Sequence, residues 1–264
     1  IGYGVANPWT DVWNFFLKTE VPTACLPIGA IPTIAASGSE MSSSAVITNE
    51  DGWLKRGCVK TDLCRPKFTL MNPRLTYTLP EYQTESGCVD ILLHTMERYF
   101  VNIETMEITD SISESLMQTV IYNARILLNE PGNYNARAEI MWAGSLSHND
   151  LTGCGTGGGD WACHQLEHEL GGLYDVTHGA GLAALWGSWA RYVYDANPER
   201  FAQFATNIFD IPCFADYENT ALAGIEAMED FFRSIHMPTN LHELGLDLTD
   251  EQIHELAFKC SFED

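Results

Sequence analysis

Apolar and polar positions follow two patterns along the chain, and the pattern changes near residue 80. Between Val21 and Asn72, short apolar runs separated by glycine-rich or polar turns predict strands at the edge of an α/β domain. After Leu79 and Pro80, apolar residues recur at helical spacing. We therefore predict an α/β portion over residues 1–80 and an all-helical domain over residues 81–264. The predicted strands lie in TACLPIGAIPTIAASGSE, SAVIT and KFTLMNP, and the predicted helices lie in VDILLHTMERYF, SESLMQTVIYNARILL, ARAEIMWAGSLSHNDL, GAGLAALWGSWARYVY, NTALAGIEAMEDFFRSI and a last segment after Thr249.

Composition narrows the class of protein. With 264 residues, 45% of them hydrophobic, the chain can bury a large core. It has no run of about 18 apolar residues, the length that a membrane span needs. A net charge of −22 disfavours nucleic acid and anionic membrane surfaces as partners. The cysteines form no C-x-x-C pair, which predicts reduced thiols and a cytoplasmic location.

The segment ESGCVDILLHTMERYF places a carboxylate and an imidazole on one helix face. Asp90 and His94 are four residues apart, so a helix sets them side by side. Their apolar neighbours predict a buried helix, in which both polar groups need partners. The pair is either half of a metal site or a hydrogen-bonded pair with structural value alone.

The segment CHQLEHELGGLYDVTHG contains three histidines and the letters H-x-x-E-H. That motif suggests a zinc protease with His164 and His168 as ligands and Glu167 as the base. However, two histidines four residues apart share a helix face whether or not they bind a metal. His178 adds information, because the glycines after the first helix bend the chain and can return a third imidazole to the same pocket. The remaining histidines, including His148, are interpreted as surface or core residues.

Two segments of small residues are candidates for binding phosphate. IPTIAASGSEMS follows an apolar strand, so its backbone and hydroxyl groups can approach a dinucleotide, although an ordinary strand-to-helix loop has the same composition. GCGTGGGDW follows a helix rather than a strand. We interpret it as a connection that lets the His164 helix begin, with Asp160 as its cap.

Taken together, these segments resemble the iron-dependent (group III) alcohol dehydrogenase family, in particular its butanol dehydrogenase and aldehyde reductase branch. The resemblance covers nearly the whole chain and implies a remnant of a Rossmann-like coenzyme-binding domain followed by a larger all-helical metal-binding domain. The segments that carry it are, in order, IPTIAASGSEMSSSAVIT, MNPRLTYTLP, VDILLHTMERY, MWAGSLSHNDL, CHQLEHELGGLYDVTHGAGLAALW, YDANPERFAQFA and MPTNLHELGL.

The resemblance implies a metal site and a role for each of its residues. The family's ligand positions fall on Asp90, His94, His164 and His178. His168 is then not a ligand but lines the substrate pocket, where its ordinary pKa of about 6.5 suits a proton relay. Glu167 is then expected on the helix surface rather than as a base. Mixed nitrogen and oxygen ligands suit Fe(2+), with Zn(2+) as the alternative.

The resemblance also implies a nicotinamide coenzyme, either NADP(H) or NAD(H). Its contacts fall on Thr33, Ser37, Lys55 and Leu79. The family's glycine-rich diphosphate loop has no counterpart in this sequence and is expected upstream of Ile1, and the end at CSFED is expected to stop before the last helix of the family. The chain is therefore interpreted as a piece of an enzyme that is a homodimer at full length.

The implied reaction is hydride transfer between NAD(P)H and a small aldehyde or primary alcohol, such as butanal and butanol. Three alternatives stay open. One is a glycerol dehydrogenase or dehydroquinate synthase type of enzyme, which uses fewer histidine ligands. The others are the H-x-x-E-H metalloprotease and an inactive metal-binding fragment.

Overall fold

A computed structural model of the chain describes residues 1–58, 61–103, 106–213 and 216–261. Residues 262–264, on which part of the expectation about the chain's end rests, lie outside these ranges. Over the described residues the chain is mostly helical, with two small sheets. In the same residues, no helix combines the length and apolar character needed to cross a bilayer.

Residues 1–80 contain short elements. The helices are α1 (Gly2–Ala6) and α2 (Trp13–Phe16). Strand β1 (Gly29–Ala30) pairs in parallel with β4 (Phe68–Thr69), and β2 (Val46–Asn49) forms an antiparallel hairpin with β3 (Leu54–Gly57). The predictions of strands at β1, β2 and β4 are confirmed. The apolar pattern predicts no strand at β3, because LKRG carries two charged residues, and pairing with β2 forms it.

The rest of the chain folds into helices, and each predicted helical segment is confirmed. Helix α8 has no counterpart among the predictions, although Asn197 accepts a hydrogen bond from the backbone N–H of Arg200 and Pro198 follows at the first helical position. The helices are α3 (Glu81–Tyr99), α4 (Glu107–Asn129), α5 (Tyr134–His148), α6 (Ala162–Tyr174), α7 (His178–Val193), α8 (Pro198–Phe209), α9 (Tyr217–Ser234) and α10 (Asp250–Cys260).

Helix α3 runs through the centre of the core. It begins directly after Pro80, and every residue from Thr84 to Tyr99 is buried. Large side chains from the surrounding helices, such as Trp186 and Phe204, complete the same core. A helix that is buried on all sides carries its polar residues into the interior, where they need partners. The domain boundary near residue 80 stays a prediction.

The start of α7 lies unusually close to α3. A Cβ atom added at Gly179 would lie 1.9 Å from the carbonyl oxygen of Ser86, a distance that no side chain can occupy. Glycine at this position therefore lets α7 touch the backbone of α3. The contact brings the first residue of α7, His178, to the buried face of α3.

Candidate metal centre and active site

Helix α3 contributes a carboxylate and an imidazole one turn apart. Asp90 is 3% exposed and His94 is 4% exposed. His94 Nδ1 lies 3.2 Å from Asp90 Oδ1. The predicted juxtaposition of the two residues is confirmed, and both lie inside the core rather than at its edge.

Two further histidines reach the same carboxylate from α6 and α7. His164 Nε2 lies 3.6 Å and His178 Nε2 lies 3.5 Å from Asp90 Oδ1. The ligand atoms of Asp90, His164 and His178 lie within 4.8 Å of one another, a spacing at which one metal ion can contact all three. His94 reaches Asp90 but is not a member of this compact group. The structure thus brings together the four residues that the resemblance selects, and the ligand atoms of three of them form the compact group.

Three donor atoms at the centre of this cluster lie close to one another but form no hydrogen bond among the described residues. Asp90 Oδ1, His94 Nδ1 and His164 Nε2 are buried without a hydrogen bond. An orphaned buried polar atom is costly, and a cation among these three atoms would satisfy all of them. One carboxylate with imidazole nitrogens is a donor set that suits Fe(2+) or Zn(2+). The residues therefore fit a divalent metal.

Each of the two histidines in the compact group contacts a glutamate through its Nδ1 atom, the ring nitrogen that does not approach Asp90. Glu97, 1% exposed, accepts a hydrogen bond from His164 Nδ1 and a second one, of 3.2 Å, from the backbone N–H of His164. Glu167 accepts from His178 Nδ1. Partners of this kind fix the tautomer of a metal-binding histidine and direct its other nitrogen to the metal.

Neither glutamate was identified from the sequence as a hydrogen-bond partner of a metal-binding histidine. Glu167 was expected on the helix surface, and this is wrong, because its side chain is fully buried. Glu97 lies seven residues after Asp90, so its position on the same helix face was available as a signal. The burial of Glu167 depends on how α6 packs against β3 and α7, which no local pattern encodes.

The glycine-rich segment before α6 brings that helix to the end of α3. The backbone N–H of Asp160 donates to the Glu97 carbonyl at 2.8 Å, and a Cβ atom at Gly159 would lie 2.6 Å from the same oxygen. Asp160 accepts from the backbone N–H of Ala162 at 2.8 Å, in the first turn of α6. The interpretation of this segment as a connection is confirmed, but the assignment of Asp160 as the cap is wrong by one residue, because Trp161 occupies the N-cap position of α6.

Burial and neighbouring charges shift the pKa values of Asp90 and His164 in opposite directions, and the charges outweigh burial in both cases. Burial alone would raise the pKa of Asp90, but the surrounding histidines His94, His178 and His164 outweigh it and hold the pKa well below its usual range. Burial would lower the pKa of His164, but Glu97 and Asp90 raise it to about 10. His164 therefore holds a proton in the metal-free protein, and this proton must leave when a metal binds its Nε2.

His168 lies beside the cluster, with its ring centroid 6.0 Å from that of His178. Burial first, and then the positive charge of Lys55, lower the pKa of His168 to about 2. The expectation of an ordinary pKa of about 6.5 is therefore wrong, and the ring is neutral at neutral pH. A neutral imidazole still both donates and accepts a hydrogen bond, so the proposed relay stays chemically possible.

A cavity of about 430 Å³ opens between the hairpin β2–β3 and the helices. Its helical side is formed by the site histidines His94, His164 and His168 together with His148 and Trp161. Its opposite side includes Val46, Arg56 and Cys58. This volume accommodates a small organic substrate next to the metal cluster.

His148 is part of this wall, which the sequence did not indicate. It is a core residue, 8% exposed, which agrees with its interpretation as a surface or core residue, and it also lines the cavity. The ring lies 4.1 Å from that of His94, centroid to centroid, and Arg98 Nη2 lies 2.9 Å from its Nδ1. Arg98 also donates to the carbonyls of His94 and Ser147, both at 2.7 Å.

The four residues expected to contact a coenzyme occupy different environments. Lys55 lies in β3 and reaches the metal cluster, where its Nζ donates to Glu167 at 3.0 Å. Thr33 and Ser37 are exposed on the loop after β1. Leu79 is half-buried, just before α3, and lines a small cavity with Thr84. That these residues bind NAD(P) stays a prediction.

Comparison with known proteins finds two family profiles that match this chain. The profile of the Fe-containing alcohol dehydrogenase family, C-terminal, matches residues 84–264, and the profile of iron-containing alcohol dehydrogenase matches residues 1–73. The chain is 37% identical to NADH-dependent butanol dehydrogenase A of Clostridium acetobutylicum over 237 residues, which cover 89% of this chain and 60% of that protein.

Two further relatives agree with these matches. The chain is 33% identical to the NADPH-dependent aldehyde reductase YqhD of Escherichia coli, over 90% of this chain and 61% of that protein. It superposes on the crystal structure of NADH-dependent butanol dehydrogenase A from Thermotoga maritima with a TM-score of 0.93 and 35% identity, over 98% of this chain and 64% of that one. The chain thus spans less than two thirds of the length of these relatives.

Proposed function

The chain belongs to the iron-containing alcohol dehydrogenase family, in its butanol dehydrogenase and aldehyde reductase branch, and we propose that it catalyses hydride transfer between NAD(P)H and a small aldehyde or primary alcohol. The observation that carries the proposal is the buried cluster of Asp90, His164 and His178, whose donor atoms face one point beside a cavity. The relatives act on butanol or aldehydes by name, which supports the same substrate class here.

The metal in this proposal is Fe(2+), with Zn(2+) as the alternative, and its ligands are Asp90, His164, His178 and His94. When bound, such an ion supplies Lewis acidity that stabilises negative charge on the substrate oxygen by several kcal/mol. Three neutral imidazoles and one carboxylate leave net positive charge at the site. The buried position of Asp90 and His94 keeps bulk water away from that charge.

The other residues of the cavity position the substrate and move a proton. His148 and Trp161 form an aromatic wall, and the Trp161 ring centroid lies 5.2 Å from that of His164. His168 borders both the cavity and the cluster, and we assign to it the proton relay to the product alcohol. Because the low pKa keeps its ring neutral, His168 transfers a proton to the product and does not itself remain protonated.

The coenzyme in this proposal is NAD(H) or NADP(H), and the hydride comes from its nicotinamide ring. We assign its contacts to Thr33, Ser37, Lys55 and Leu79. Residues 1–80 then belong to a Rossmann-like coenzyme-binding domain and residues 81–264 to the helical metal-binding domain. We also propose a homodimer in the cytoplasm for the complete enzyme.

The metalloprotease alternative is disfavoured by the surroundings of Glu167. A protease base must face the substrate, but the Glu167 carboxylate is fully buried and is bound by Lys55 and His178. The glycerol dehydrogenase type is disfavoured by the number of histidines around Asp90.

The proposal is tested by metal analysis and a coupled assay. Protein purified without oxygen is expected to contain iron or zinc by elemental analysis and to oxidise NADH or NADPH when butanal is added. His164→Ala should lose the metal and the turnover together. Protein that holds metal but shows no turnover would support the reading as a metal-binding fragment, and protein without metal at this cluster would contradict the proposal.

A further inference from the structure

Glu167 joins a strand of the N-terminal part to a ligand of the metal cluster. Its Oε2 accepts hydrogen bonds from Lys55 Nζ, at 3.0 Å, and from His178 Nδ1. The carboxylate is fully buried, whereas the side chain of Lys55 is 18% exposed. A chain of contacts therefore runs from β3 through α6 to the first residue of α7.

Two glycines leave the space that this carboxylate occupies. A Cβ atom at Gly171 would lie 2.7 Å from Lys55 Nζ and 2.9 Å from Glu167 Oε1. A Cβ atom at Gly181 would lie 2.9 Å from Glu167 Cγ. All three distances are shorter than real side chains allow, so the backbones of α6 and α7 enclose the carboxylate tightly on two sides. Its orientation is fixed by packing as well as by hydrogen bonds.

This arrangement determines which nitrogen of His178 can bind a metal. A ring that donates its Nδ1–H to Glu167 has its lone pair on Nε2, the nitrogen 3.5 Å from Asp90 Oδ1. We propose that Glu167 is a positioning residue, oriented by Lys55, that holds His178 in its metal-binding tautomer and thereby sets metal affinity. The inference rests on the proposed function, because it assigns His178 to the metal.

The structure supplies a matched control on the same two elements. Arg56 of β3 donates to Glu169 of α6 at 2.6 Å, next to the pair of Lys55 and Glu167. Glu169 is 1% exposed, so its burial equals that of Glu167. In the described part of the chain, Glu169 is hydrogen-bonded to Arg56, which is not a ligand of the metal cluster. Loss of charge at Glu169 therefore measures the general cost of disturbing a buried ion pair between β3 and α6.

The test is a titration of metal-free protein with Co(2+), followed by calorimetry and by the visible spectrum of the bound ion. Outer partners of metal-bound histidines typically contribute about 10- to 100-fold to affinity. We expect Glu167→Gln to raise the Kd for Co(2+) by about 10-fold or more and to alter the spectrum. Glu169→Gln should leave both unchanged. Gly181→Ala, which presses on Glu167 without changing any charge, should weaken binding as well.

A second measurement separates this inference from the proposed function. In metal-free protein labelled with ¹⁵N-histidine, the His178 ring should be mainly in the Nδ1–H form, and Glu167→Gln should shift it toward the Nε2–H form. Equal tautomer populations in the two proteins, or an equal loss of Co(2+) affinity in Glu167→Gln and Glu169→Gln, would overturn the inference. If the unaltered protein bound no Co(2+), the proposed function would fail, and the tautomer measurement would still decide the role of Glu167.

Discussion

Replacing Asp90 with asparagine should abolish the stabilisation of the fold by metal. Asp90 is the anionic member of the cluster, and its Oδ1 lies 3.2 to 3.6 Å from a ring nitrogen of each of His94, His164 and His178. Its depressed pKa means that the carboxylate is ionised at neutral pH. Asparagine has nearly the same volume, so the substitution removes the charge and leaves the packing of α3 in place.

The expected size of the effect follows from binding linkage. Loss of an outer partner of a ligand weakens metal binding by about 10- to 100-fold, so loss of a direct ligand should cost at least about 100-fold. At a metal concentration of about 100 times the Kd, the unaltered protein gains about 2.7 kcal/mol of stability. Under the same conditions the Asp90→Asn variant would be at its own Kd and would gain about 0.4 kcal/mol.

Differential scanning calorimetry with and without metal measures this difference. For a chain of this size, about 1 kcal/mol corresponds to roughly 2–4 °C in Tm. The metal-induced rise in Tm should therefore fall from about 5–11 °C to about 1–2 °C. His236→Asn, which alters an exposed histidine bound to Glu81, should keep the full rise. An undiminished rise in Asp90→Asn would show that the metal binds elsewhere and would refute the assignment.

Four further outcomes are expected. His168→Ala should lower aldehyde reduction by about 100-fold, and an unchanged rate and pH profile in steady-state kinetics would exclude the relay. Gly179→Ala should destabilise the protein by about 1–3 kcal/mol in urea unfolding, because the new Cβ would strike the Ser86 carbonyl, and stability equal to the unaltered protein would contradict this. Because the pKa of His164 is raised to about 10, calorimetry in buffers of different ionisation enthalpy should show proton release on metal binding, with affinity falling as pH falls. Burial raises the pKa of Glu85 to about 8, so the contribution of this residue to stability should be full below pH 4.5 and should fall as pH rises to 8. Glu85→Gln should therefore raise Tm above pH 8 but not below pH 4.5.

The sequence predicted most of the helices. It also singled out the two segments that form the cluster, one with Asp90 and His94 and the other with His164 and His178, but not how these segments meet. Periodicity is a local property, so it identified the helix that carries Asp90 and His94, and the glycine-rich connection GCGTGGGDW indicated where the His164 helix begins. The strand β3 and the contact of Lys55 with Glu167 depend on pairing across the hairpin and on packing against α6. Asp90 and His178 are separated by eighty-eight positions, too far for a local pattern to pair them, so their assignment to one site came from resemblance to a family.

The letters H-x-x-E-H illustrate why spacing alone does not identify a metal site. His164 and His168 share a face of α6, as their spacing requires, yet the compact group includes His164 and excludes His168. The selection is made by the close approach of α7 to α3 at Gly179, which brings His178 to Asp90, and by Glu97, which holds His164 toward the same carboxylate. Glu167 lies between the two histidines of the motif and binds a third, His178. It is fully buried there, so the residue that a protease would need as its base is instead hydrogen-bonded to His178, which we propose as a metal ligand.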